Sequence, residues 1–108
     1  MTTKLVTIKL KVRQMEDKKT TWKIKKITEG LRDLLLEKNK RYGNSALNPL
    51  NVFSRDGATN SITIRIDDKI NRIKNSKELR KNDVVDLMGY LVLLLADKNW
   101  VTFKDLVD

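Results

Sequence analysis

The sequence predicts a mainly all-α fold: a small bundle of about three to four helices with an N-terminal β-strand extension. Three observations lead there. Apolar residues recur at helical spacing from residue 20 onward, most clearly in Ile24, Ile27, Leu31, Leu34 and Leu35. A second Leu-rich stretch, Leu87, Tyr90, Leu91, Leu94 and Leu95, gives a broad apolar face suited to a central core helix. Residues 5–13, by contrast, alternate, with Val6, Ile8, Leu10 and Val12 on one side and Thr7, Lys9, Lys11 and Arg13 on the other. At 108 residues the chain suits one domain with a thin core, so a homo-oligomer is expected to complete it.

Taken in order, residues 1–19 form the basic strand or extension and residues 20–108 the helical domain. A strand at 5–13 needs a partner for its backbone groups, either the same strand of another subunit or a second strand near Ser61–Ile66. Gln14 to Lys19 reads as a polar turn. Thr20 or Thr21 can cap a helix that runs to about Lys40, with Gly43 placed to end it. Glu29, Asp33 and Glu37 step along another stripe of that helix as a solvated face. The stretch from Gly43 to Asn60 holds the only proline, Pro49, and reads as a long connection. Ile62, Ile64 and Ile66 fit a strand, while Ile62, Ile66, Ile70 and Ile73 fit a helix face; the helix is favoured for residues 65–75. Asn82 can cap a last helix through about Asp97, and Trp100 and Phe103 are expected to fold back over the core.

Composition excludes several chemistries. With no cysteine, disulfides and thiolate metal sites are ruled out. With no histidine, Ser-His and Cys-His nucleophiles and His-ligated zinc are ruled out as well. A metal would need oxygen ligands, which favours magnesium, manganese or calcium. No apolar run is long enough to span a bilayer, so no membrane partner is expected. The opening Met1-Thr2-Thr3-Lys4 lacks the apolar core of a secretory signal, so a cytoplasmic location is expected. Net charge is +9, concentrated at the N-terminus. Lys4, Lys9, Lys11, Arg13, Lys18, Lys19, Lys23, Lys25 and Lys26 face only Glu16 and Asp17 there. Lys9, Lys11 and Arg13 thus form a patch for nucleic acid, a phosphorylated compound or an acidic protein, or simply a solvated Lys-rich face.

Two oxygen-bearing pairs flank the basic stretch at 74–81. Asp68 and Asn71 lie three apart, and so do Asp83 and Asp86, so each pair shares a helix face. Facing helices could bring the pairs around a divalent cation. The same acids also suit other roles: Asp83 and Asp86 the first turn of a helix, and Asp67-Asp68 a salt-bridge ladder with Lys69 and Arg72.

The segments Glu37-Lys38-Asn39-Lys40-Arg41-Tyr42-Gly43-Asn44-Ser45-Ala46-Leu47-Asn48-Pro49, Arg65-Ile66-Asp67-Asp68-Lys69 and Asp83 to Leu94 together resemble a phage and prophage family, the nucleotide modification associated domain, type 1. The likeness covers roughly residues 27–97. That family looks like a distant relative of the all-α, MazG-like nucleoside triphosphate pyrophosphatases, which hold magnesium with Glu-x-x-Glu and Glu-x-x-Asp pairs. The resemblance implies Mg2+ at Asp68, Asn71, Asp83 and Asp86. This chain departs from the pattern with a neutral Asn71 and with Asp in place of the longer Glu. Glu37 would then supply a further carboxylate to orient the attacking water, as the catalytic residue. Nucleotide or phosphate contacts are implied for Lys40, Arg41, Tyr42, Asn44, Arg65, Lys69 and Arg72, with Tyr42 stacking on a base. The expected function is phage-type nucleotide handling, as a magnesium-dependent pyrophosphohydrolase. The alternative is a non-catalytic protein that binds a nucleotide or nucleotide-derived signal against a host defence, or that inhibits a host defence nuclease through the basic patch.

Overall fold

A computed structural model describes residues 2–43 and 57–107. Three helices account for most of them: α1 (Thr2–Tyr42), α2 (Ala58–Asn75) and α3 (Lys81–Asp97), followed by a 3-10 turn at Lys104–Leu106. The chain divides into two units, Met1–Leu34 and Leu35–Asp108.

In the first unit the N-terminal strand expected at 5–13 is replaced by helix, and no strand occurs among the described residues. The physical reason lies in the pattern itself. Leu5, Ile8, Val12 and Met15 also recur at helical intervals, so the run satisfies both periods. A strand additionally requires a ladder partner, and none is supplied among the described residues. The threonines that favour extended structure are satisfied within the helix instead. The hydroxyls of Thr7, Thr21 and Thr28 donate to the carbonyls of Thr3, Asp17 and Ile24, one turn back, at 2.9, 2.8 and 2.8 Å. The polar turn expected at 14–19 and the caps expected at Thr20 and Thr21 therefore fall inside α1. Lys26 Nζ lies 5.9 Å from the centroid of the Trp22 ring, one turn away. The far end of α1 is as expected: Gly43 takes a φ of 59°, the left-handed conformation that ends helices without a Cβ penalty.

The second unit is built on α2 and α3, which pack antiparallel. Ile62 is its one fully buried apolar side chain among the described residues, 1% exposed. Burying it stabilises the pair by about 1.5–3 kcal/mol. Ile66 and Ile73 continue its face half-buried, whereas Ile70 is exposed. On α3, Leu87, Tyr90, Leu94 and Leu95 are half-buried and Gly89 is buried. Gly89 matters for close approach: a Cβ there would meet Leu35 Cδ2, near the end of α1, at 3.1 Å. The start of α3 differs slightly from expectation. Arg80 is the N-cap residue, in extended conformation, and Asn82 lies within the first turn. At its C-terminus Asn99 takes a φ of 60°. The Asn99 N–H donates to the Ala96 carbonyl at 3.1 Å and the Trp100 N–H to the Leu95 carbonyl at 2.9 Å. These two bonds make a Schellman motif, with Asn in the place more often held by glycine. Beyond it, Trp100 and Phe103 are 60% and 52% exposed rather than folded over the core.

Candidate functional site

The polar residues of the second unit converge where α2 faces α3. Antiparallel packing puts Lys69 opposite Asp86 and, one turn along, Arg65 opposite Tyr90. Lys69 Nζ lies 3.1 Å from Asp86 Oδ2, and its side chain is only 15% exposed. Lys38 Nζ, from the end of α1, approaches the other oxygen of the same carboxylate at 3.9 Å. Arg65 Nη1 is 3.5 Å from the Tyr90 hydroxyl, and its guanidinium lies 5.9 Å from the centre of the Tyr90 ring. Farther along the same interface, the Thr59 hydroxyl donates to the Asp97 carboxylate.

Asp83, one turn before Asp86, is 5% exposed. Arg80 Nε donates to its Oδ2 at 3.1 Å. Its place in the first turn of α3 also sets the carboxylate against the positive end of the helix. Asp83 and Asp86 therefore share a face as their spacing predicts, and each is already met by cationic side chains.

The remaining residues singled out by sequence do not join them as an acidic centre. Asp67 and Asp68 are exposed on α2. Asn71 Oδ1 accepts a hydrogen bond from Asn75 Nδ2 at 3.1 Å. Glu37 Oε1 pairs with Arg41 Nε at 3.0 Å along the surface of α1. Among the described residues, no three acidic side chains come together closely enough to hold a metal ion. Asp68, Asp83 and Asp86 thus do not stand together as the resemblance implies. Lys40, Tyr42 and Arg72 are exposed, and Asn44 lies outside the described residues. Lys9, Lys11 and Arg13 stand exposed on α1 in the first unit.

Three participants escaped sequence reasoning: Lys38, Arg80 and Tyr90. A signal for Tyr90 was present. Arg65 and Lys69 are four apart on α2, as are Asp86 and Tyr90 on α3, so a register that pairs one rung pairs the next.

The electrostatics follow from these pairs. One carboxylate, Asp86, faces two ammonium groups, which leaves a positive surplus that Arg65 extends. Each ammonium carries three donors, so Lys38 and Lys69 retain capacity beyond Asp86. The Tyr90 ring and hydroxyl border the same patch.

No helix among the described residues is long and apolar enough to cross a membrane. Comparisons with protein-family models, with curated proteins and with solved structures returned no match.

Proposed function

We propose that this chain is a phage-type nucleotide-handling protein that binds the phosphates of a nucleotide or nucleotide-derived signal at the α2–α3 face. The observation that carries this reading is the pairing of two lysines, Lys38 and Lys69, with the single carboxylate of Asp86. In this reading Asp86 holds the lysines in place while the site is empty. An incoming phosphate takes up their free donors, and Arg65 beside Tyr90 supplies a further cation. Binding without turnover would make the chain a sponge for a nucleotide signal.

A second reading, magnesium-dependent pyrophosphohydrolysis, draws on Asp83 and Asp86 lying one turn apart on α3. It requires both carboxylates to be released from Arg80 and from the lysines. We also propose that copies of the chain associate through the second unit, where Leu91 and Val92 of α3 are exposed.

The test is to incubate purified protein with a pool of mono-, di-, tri- and cyclic nucleotides, with and without magnesium, and to analyse bound and free fractions by mass spectrometry. Retention of an intact nucleotide is the expected result. Magnesium-dependent appearance of a monophosphate would favour the hydrolase. Failure to retain or convert any nucleotide would remove both.

A further inference from the structure

In the first unit, α1 carries an apolar seam that the nucleotide reading does not use. Leu5, Ile8, Val12, Met15 and Trp22 recur at alternating steps of three and four residues, with Lys19 filling the one position between Met15 and Trp22. All five apolar side chains are between 48% and 60% exposed. Isolated helices are marginal in water unless an apolar face is packed. The steps match the a and d positions of a heptad repeat, the pattern of a helix that pairs with another helix.

The residues flanking the seam indicate what kind of helix. On one flank, at successive g positions, stand Lys4, Lys11, Lys18 and Lys25. On the other, at e, stand Lys9, Glu16 and Lys23. In a parallel pair each g residue meets the e residue five positions on in its partner. A second copy in parallel would set Lys4 against Lys9 and Lys18 against Lys23, relieved only where Lys11 meets Glu16. An antiparallel copy would set the lysine flank against itself. Both arrangements place like charges along the interface, which discriminates against self-pairing. A membrane surface fits poorly too. Val6, Leu10 and Ile24 fall on the far side of the helix, so there is no broad apolar face opposed by a polar one.

We propose that the N-terminal part of α1 is half of a heterotypic coiled coil, and that its partner is an acidic amphipathic helix with Glu or Asp flanking its own apolar seam. The basic patch expected of Lys9, Lys11 and Arg13 is thereby redrawn: Lys9 and Lys11 line the two edges of one seam, and Arg13 lies outside it.

The test uses the full chain carrying Trp100→Phe, so that Trp22 is the only tryptophan and reports from within the seam. The probe is a synthetic heptad peptide with Ile at a, Leu at d and Glu at e and g. Controls are a scrambled peptide of the same composition, the heptad peptide with Lys at e and g, and phosphatidylserine–phosphatidylcholine vesicles. The expected result is a blue shift of Trp22 emission with the Glu heptad peptide, and binding at least about tenfold tighter than to the scrambled peptide. The double variant Lys11→Glu, Lys18→Glu should lose that affinity and gain affinity for the Lys heptad peptide. Equal binding of the scrambled peptide would overturn the proposal by reducing it to bulk charge. So would a blue shift with vesicles but not with the Glu heptad peptide, or self-association abolished by Val12→Asp, or a charge-reversed variant whose preference does not change.

Discussion

Asp83 and Asp86 are one turn apart and bear the same carboxylate group, yet their surroundings give them different roles. Asp83 is nearly buried, with Arg80 as its partner and the start of α3 beneath it. Its contribution is structural: it sets a negative charge at the positive end of the helix and neutralises a cation. Asp83→Ala should lower stability by about 1–2 kcal/mol, through loss of the charge-assisted hydrogen bond and of the favourable helix-end charge. Urea unfolding followed by circular dichroism measures this, and an unchanged midpoint would show that Arg80 and Asp83 contribute nothing. Asp86 is more open and answers to two lysines, which is why the binding reading rests on it rather than on Asp83.

Among the elements, glycine separates two kinds of helix surface. At Gly89 an added Cβ would press on Leu35, whereas at Gly30 it would meet nothing within 4 Å beyond the adjacent backbone of its own helix. Gly89→Val should therefore destabilise the second unit by about 1–3 kcal/mol through overpacking. Gly30→Ala should stabilise α1 by roughly 0.5–1 kcal/mol, the difference in helix propensity. Thermal unfolding of the two variants should show shifts of opposite sign; shifts of the same sign would refute the packing at Gly89. Helix placement was largely legible in the sequence wherever an apolar stripe had only one period. The stretch to about Lys40 and the run ending at Asp97 read correctly for that reason, whereas the isoleucines from Ile62 fitted both periods and the helix favoured for residues 65–75 begins earlier, at Ala58. Residues 5–13 did not, because β-branched and Leu residues there satisfy strand and heptad spacing together, and local pattern cannot supply or withhold a ladder partner. The site was legible to the same degree. Spacing put Asp83 and Asp86 on one face and left the Arg80–Asp83 pair, three residues apart, open to local reading, but Lys69 and Lys38 reach Asp86 through cross-helix packing, which local spacing does not encode.

At the scale of the whole molecule, apolar exposure is the dominant fact. Ile62 is the one buried apolar side chain among the described residues, while Leu79, Leu91, Trp100, Val101, Phe103 and Leu106 are each more than two-fifths exposed in the second unit. Self-association through that unit should make the thermal midpoint rise with protein concentration, since anything that binds only the folded chain stabilises it by mass action. A midpoint independent of concentration, with a monomer in sedimentation, would contradict association. In the binding reading Asp86 is a counter-ion to Lys38 and Lys69 rather than a metal ligand. The most direct measurement is the affinity of Asp86→Asn for whichever nucleotide the wild-type chain retains, by titration calorimetry with and without magnesium. Removing the competing negative charge should leave binding intact or tighten it several-fold, with no dependence on magnesium. Loss of binding in Asp86→Asn, together with a magnesium requirement in the wild type, would contradict the account and put the acidic pair at a metal centre.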